Sequence, residues 1–416
     1  MDLLILRASE LVTLRQAGEK PVKAEKMRNL SIIENGAVAI DEGKIVAVDK
    51  TTKIEQSFRS NRIVDAFGKT VMPGFVDPHT HPIFAGSREE ELELRLKGLS
   101  YIKILKKGGG ILKTVRETRK ASKNQLANDS KETLDIMLQH GTTTVEAKSG
   151  YGLTTNDEVK CLGVAKELNS IHCVDIVPTF LGAHTVPPEY ENKIDEYVKL
   201  VIGEMIPTVA GQKLAEFCDV FCERGVFDVE QSRKILMTGI ECGMKPKVHA
   251  DELTRLGGAE LAAEVKAISA EHLLFASEDG LKAMAEESVI AILLPAASFS
   301  LMTGKYANAR KMIQLQVPIA LGTDFNPICW MENMQMVIAF ACREMYLTPA
   351  EAITAATINA AHAINRAQEV GSLREGKKAD IIILNIPSYK FLGYKFGVNL
   401  VDKVIKEGKI VVEKRE

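Results

Sequence analysis

Val71-Met72-Pro73-Gly74-Phe75-Val76-Asp77-Pro78-His79-Thr80-His81 decides the fold. A short β-type run ends on two histidines one residue apart. Strand side chains alternate between faces, so His79 and His81 point to the same side and can reach a single ion. A bare His-x-His is equally a pair of exposed turn histidines, so its meaning depends on the rest of the chain.

Downstream, apolar runs recur and repeatedly end on side chains that can carry chemistry. The strand candidates finish at His79-Thr80-His81, Thr142 to Glu146, Ile176 to Phe180, Val220 to Glu223, Lys247 to His249, Ile268 to Ala270, Ile290 to Leu294 and Ile319 to Leu321. Segments of helical period lie between them, among them Lys131 to His140, Asn156 to Asn169, Val229 to Cys242 and Asp279 to Glu287. Eight such alternations predict a (β/α)8 TIM barrel over residues 73–365. A doubly wound open sheet would alternate in the same way. The strand ends favour the barrel: His184 follows Phe180-Leu181-Gly182-Ala183, His249 ends Lys247-Val248, His272 follows Ala270-Glu271, and Asp324 follows Leu321-Gly322-Thr323. A barrel brings all of these to one mouth. His140, His172 and His362 follow no strand run and read as surface or helix-packing residues.

The flanks have a different grammar. Gly36 to Ile40 and Lys44 to Val48 are short β runs around Asp41-Glu42-Gly43, and Glu407-Gly408-Lys409-Ile410-Val411 echoes Glu42-Gly43-Lys44-Ile45-Val46. Residues 1–72 and 366–416 are therefore expected to form one composite β-sandwich domain.

The chain has 416 residues, 46% of them hydrophobic, with 53 basic against 55 acidic side chains and a formal charge of −2. That length can bury a sizeable core without disulfides, and near-neutrality argues against nucleic-acid or anionic-membrane partners. The seven cysteines are irregularly spaced, which fits a reducing cytosol, and Cys218 and Cys222 read as small buried side chains of a strand. The N-terminus lacks a signal-peptide pattern, and Val289 to Met302 is too short and too interrupted to cross a bilayer, so a cytoplasmic location is expected.

Three histidines and an aspartate at converging strand ends can form a nitrogen- and oxygen-ligand shell for one ion: His79, His81, His249 and Asp324. An ion of this kind makes a hydroxide nucleophile available near neutral pH. Hydrolysis of an amide-like bond also needs proton transfer, for which Glu252 is the candidate and its neighbour Asp251 the competitor. His272 could orient water or stabilise an oxyanion, and Asp324 could share a proton. On the substrate side, Arg88 can grip a carboxylate, although three acidic residues follow it at 89–91. Tyr151, in Lys148-Ser149-Gly150-Tyr151-Gly152, can cover a planar ring or simply anchor its loop. Gly108-Gly109-Gly110 could offer amides to an anion; a plain turn is the simpler reading.

The paired histidines, strand-end His249 and Asp324, and Gly371-Ser372-Leu373-Arg374-Glu375-Gly376-Lys377-Lys378-Ala379-Asp380 resemble the amidohydrolase superfamily. His79 to Arg88, Gly108 to Arg119, Lys148 to Leu153, Phe180 to His184, Phe221-Cys222-Glu223 and His249 to Glu264 resemble the imidazolonepropionase family in particular. The resemblance spans nearly the whole chain. It implies hydrolytic ring opening of 4-imidazolone-5-propanoate to N-formimidoyl-L-glutamate in histidine degradation, one zinc or iron ion on His79, His81, His249 and Asp324, and a homodimer. It also implies substrate contacts from Arg88, Tyr151, His184 and Glu252, with Asn326 nearby. A bridging carboxylated lysine is not part of the pattern, and Lys148 is the nearest lysine to test against it. After Asp324-Phe325-Asn326-Pro327 this chain departs from the family: Ile328-Cys329-Trp330 stands where glycine and a small hydroxyl residue are usual. A nucleobase or cyclic-amidine deaminase would use the same ion with less need of Arg88, and a non-catalytic scaffold would need neither.

Overall fold

The computed structural model describes residues 1–99 and 109–414, which leaves Gly108 of the triglycine outside the described residues. Five strands open the chain: β1 (Leu3–Leu11), β2 (Ile33–Asp41), β3 (Lys44–Lys50), β4 (Ile63–Asp65) and β5 (Thr70–Pro73). Eight follow: β6 (Phe75–Asp77), β7 (Thr142–Lys148), β8 (Asp175–Ala183), β9 (Phe217–Cys222), β10 (Lys245–Ala250), β11 (Ser269–His272), β12 (Ile290–Leu293) and β13 (Ile319–Leu321). Three close it: β14 (Ile381–Leu384), β15 (Val401–Lys406) and β16 (Lys409–Glu413).

Strands β6 to β13 pair in sequence order, each parallel to the next, with helices between them. Closure from β13 to β6 is made just beyond the strand ends. Thr80 bridges Phe325, the His81 amide donates to the Phe325 carbonyl at 2.8 Å, and the Asp324 amide donates to the His79 carbonyl at 3.1 Å. The stretch bearing the paired histidines is thus hydrogen-bonded directly to the stretch bearing Asp324, and the open-sheet alternative fails at that seam.

Side-chain caps set the helix starts. Ser122 accepts from the Gln125 amide, so the helix expected from Lys131 begins at Lys123. Thr154 and Ser277 cap Thr155–Ile171 and Glu278–Glu287 in the same way, and Asp228 with Gln231 forms a capping box on Val229–Glu241. Both cysteines of β9 are buried.

The terminal segments form one mixed sheet in the order β16-β15-β14-β5-β1-β2-β3, with β4 also pairing on β1. The sandwich expected from the flanks is a single hydrogen-bonded sheet, branched at β1. Apolar residues from both termini, including Ile5, Val38, Val71, Ile381 and Ile405, share one core. The repeated Glu-Gly dipeptide has a physical origin: Glu42 and Gly43 (φ 48° and 74°) and Glu407 and Gly408 (φ 45° and 75°) turn two hairpins whose central residues need positive φ. No helix among the described residues is long and apolar enough to cross a membrane.

Candidate active site

The short β6 delivers His79 and His81 to the barrel mouth, where both are buried. Their Nε2 atoms lie 3.4 Å apart, and Asp324 Oδ1 is 3.4 Å from the first and 3.5 Å from the second. Asp324 reaches this point from a left-handed backbone (φ 51°) directly after β13. His249, on β10, brings its ring centroid to 4.6 Å from that of His79 and 5.5 Å from that of His81. Among the described residues, three sets of possible ligand atoms fall within 4.8 Å: His79, His81 and Asp324; His79, His249 and His272; and Asp219, His249 and Glu271.

These distances carry chemical meaning. Burial above all, reinforced by nearby positive groups, holds His79 and His81 well below the ordinary histidine range, so both are neutral. Two imidazole lone pairs facing one carboxylate oxygen need a shared positive charge. A tetrahedral ion about 2.1 Å from each ligand would space those ligands about 3.4 Å apart, the separation found here. His249 Nε2 is buried without a hydrogen-bond partner, ready to act as a further donor. The donor set therefore fits a divalent cation.

Asp219 on β9 places Oδ2 3.0 Å from His249 Nδ1, an ion contact that falls short of an aligned hydrogen bond. Burial opposes protonation of His249, but the Asp219 carboxylate outweighs it and moves the imidazole up. Beneath the ligands lies a group of charges that inspection of the sequence did not identify. Lys148 Nζ contacts Asp219 at 2.7 Å and Glu146 at 3.0 Å, while Lys247 Nζ contacts Glu146 at 2.7 Å and lies 3.7 Å from Glu271. All five are fully buried. Burial works against the Lys148 ammonium, yet Asp219 and Glu146 hold it charged, so it is engaged as a cation by two carboxylates. Asp77, at the end of β6, accepts from the Thr323 amide and hydroxyl, and burial raises it to about 7.

The loop after β10 separates Asp251 from Glu252. Asp251 (φ 49°) turns away and accepts four amides, those of Leu256, Gly257, Gly258 and Ala259, at the start of the helix Gly258–Glu264. It is thereby consumed as a helix anchor. Glu252 faces the cavity, with Oε2 3.6 Å from His272 Nε2, and burial, then the Asp324 carboxylate, raises it to about 8. His272 (φ 67°) ends β11 and is driven well below its ordinary range by burial.

One cavity of about 1010 Å³ gathers the sequence candidates: Arg88, Tyr151, His184, Glu252, His272 and Asn326 line it with His81, His249 and Asp324, while His79 lies beneath its floor. The His184 ring stacks on His81 at 5.1 Å and 16°, and Tyr151 packs 5.2 Å from His184. Gly150 (φ 107°) makes this possible, because a Cβ there would sit 2.8 Å from His184 Nδ1. Arg88 is buried and already paired. Its Nε and Nη2 donate to the two oxygens of Glu91, each at 2.8 Å, and Glu91 also accepts the Gly110 amide at 2.7 Å. The anion that the triglycine amide meets is thus internal. Asn326 is largely taken up by its own turn, donating to the Asp324 carbonyl and accepting from the Ile328 and Cys329 amides. Cys329 points its thiol at the Thr323 carbonyl, and Trp330 packs edge-on against Phe84 and Phe325 at the rim.

Known proteins are similar to this chain along its length. The family described as "Amidohydrolase family" matches residues 229–411. An imidazolonepropionase of Geobacillus kaustophilus is 54% identical over 99% of this chain and 98% of its own length. One of Alkaliphilus metalliredigens is 51% identical over 100% and 99%, respectively. In fold, the chain is similar to an E. coli guanine deaminase (TM-score 0.75, 14% identity, 99% of both chains). It is also similar to a zinc-bound adenosine deaminase of Xanthomonas campestris (TM-score 0.74, 20% identity, 100% of this chain and 94% of that one). With relatives of more than half identity along its entire length, the chain belongs to the imidazolonepropionase family of amidohydrolases.

Proposed function

We propose that this chain hydrolyses 4-imidazolone-5-propanoate to N-formimidoyl-L-glutamate, with one zinc or iron ion held by His79, His81, His249 and Asp324. When bound, such an ion supplies an ionised water near neutral pH and polarises the carbonyl it faces. The lactam C–N bond of the ring breaks, the water oxygen joins the carbonyl carbon, and the released nitrogen takes a proton. Glu252, close to His272 and facing the cavity, moves that proton, and a carboxyl raised to about 8 suits a group that must both accept and return it. His272, a neutral imidazole beside it, orients the water or steadies the developing oxyanion. Asp324, whose carboxylate acts directly on Glu252, shares the proton at the start of the transfer.

The observation that carries the substrate assignment is a buried guanidinium lining the same cavity as the ligand set. Glu91 engages Nε and Nη2, and the remaining donors of the fork can take the propionate carboxylate. Tyr151 and His184 cover the planar ring from one side. Purified, metal-loaded protein should consume freshly prepared imidazolone propionate, followed by the loss of its ultraviolet absorbance and by detection of the formimidoyl product. Absence of turnover, together with deamination of a neutral nucleobase, would assign the site to the deaminases instead.

A further inference from the structure

Glu223 follows β9 directly, is buried, and uses its carboxylate on the loop of the neighbouring strand. Oε2 accepts the Leu253 amide at 2.8 Å and the Thr254 amide at 3.2 Å, while Oε1 accepts the Thr254 hydroxyl and the Arg224 amide, the latter at 2.8 Å. Four donors therefore meet one carboxylate, the full complement of its lone pairs. On the other side of the same loop, Asp251 holds the amides of residues 256–259. Glu252 stands between these two clamps. Its own carboxyl makes no hydrogen bond to protein among the described residues and approaches His272 at 3.6 Å.

We infer that Glu223 is a positioning residue: by fixing the amides of Leu253 and Thr254 and the Thr254 hydroxyl, it sets the backbone from which Glu252 reaches the reacting bond. The argument is one of geometry. A loop that carries a proton-transfer group on a single turn gains precision only if the residues beside that group are tied to a rigid element, and the end of β9 is such an element. A carboxylate is needed there because all four of its contacts are donors. An amide offers one accepting oxygen, and its NH2 would face an N–H. The remaining substrate-facing groups come from other loops, so a slack 252–254 turn should impair the chemical step and spare binding.

This inference rests on the proposed role of Glu252, and the experiment separates the two. Glu223→Gln and Thr254→Val are each made in the wild-type and Glu252→Gln backgrounds. Folding is checked by circular dichroism and metal content by elemental analysis, and steady-state rates on imidazolone propionate at varied concentration give kcat and KM. Glu223→Gln should lower kcat about 10- to 100-fold with KM changed less than about threefold, as expected for a misplacement on the order of 1 Å. Thr254→Val, which removes one donor and leaves both amides in place, should lower kcat about 3- to 10-fold and carries the test if Glu223→Gln fails to fold. In the Glu252→Gln background both should change the residual rate by less than about twofold, because the group they position is gone. The inference is overturned if the variants that fold leave kcat at the wild-type value, raise KM instead, or cost as much without Glu252 as with it. If Glu252→Gln alone keeps full kcat, the assignment of proton transfer to Glu252 fails first and Glu223 has nothing to position.

Discussion

Replacing Arg88 by Ala tests the reading of the substrate pocket. In the structure Arg88 is 7% exposed and Glu91 3% exposed, so the pair is desolvated and the guanidinium would serve two carboxylates at once, one internal and one on the substrate. Truncating one partner of a buried, hydrogen-bonded charge pair costs about 2 to 5 kcal/mol, which is roughly 30- to 5,000-fold in kcat/KM. Part of that loss is repulsion that the arginine now hides. Two carboxylates about 8 Å apart across an effective dielectric of about 20 repel by about 2 kcal/mol. Glu91→Gln added to Arg88→Ala should therefore recover about 10- to 30-fold of kcat/KM, since the amide still accepts from Gly110 and no longer opposes the propionate. The assay compares initial rates on imidazolone propionate and on its methyl ester. Wild type should prefer the acid strongly, Arg88→Ala should favour the ester by about the 10- to 30-fold that the uncovered Glu91 costs the acid, and the double variant should regain acid turnover only. The reasoning is refuted if Arg88→Ala stays within about threefold of wild type on the acid, or if wild type handles the ester equally well.

Metal removal should cost stability as well as activity: a ligand present at about 100 times its Kd contributes about 2.7 kcal/mol. Chelation should thus lower the thermal midpoint in wild type and not in Asp324→Ala or His79→Ala, and a midpoint indifferent to chelator in wild type would contradict the site. Lys148→Met removes the cation shared by Asp219 and Glu146 and leaves Asp219 with only His249 and Glu146 with only Lys247, a loss of about 3 to 5 kcal/mol for a broken buried pair, readable as a shift in the urea midpoint; a change under about 1 kcal/mol would show the charge cluster to be slack. Lys377 is buried with its ammonium on the carbonyls of Ala367 and Val370, and burial, then Arg374, lowers it from 10.5 to about 8. Between those values the unfolded chain binds a proton that the folded chain does not, so this residue's contribution to stability rises with pH from about 8 towards 10.5, by at most about 3 kcal/mol. The difference in unfolding free energy between wild type and Lys377→Met, measured across pH 7 to 10, should show that rise; a constant difference would remove Lys377 as its source.

The barrel was readable because eight apolar runs alternate with helical periods, and because strand-end polar residues are visible without any knowledge of pairing. The closure was not, since it depends on hydrogen bonds between residues 79–81 and 324–325, and sequence separation hides such contacts. The buried charge cluster leaves a trace in the sequence. Glu146 and Lys148 are two apart on β7, and Lys247 lies two before His249 on β10, so each shares a face with its partner and points into the barrel. A polar side chain in the middle of an otherwise apolar parallel strand, in phase with a ligand, marks what lies under the site.

Asp251 and Glu252 show where residue identity stops being informative. Both are carboxylates, adjacent, just after the proposed ligand His249, and either could serve as a proton-transfer group. Their fates diverge at the backbone: a left-handed φ at Asp251 aims its side chain at the amides of the next helix, which leaves Glu252 aimed at the cavity. That helix starts at Gly258, whose Cβ position would fall 2.8 Å from the Ala250 Cβ, so the tight return of the chain onto β10 fixes which carboxylate is spent on structure. The assignment of chemistry thus comes from the loop's length and its glycine, and a Gly258→Ala variant that pushed the helix off β10 should impair Glu252 and Asp251 together, whereas Glu223→Gln should disturb Glu252 alone.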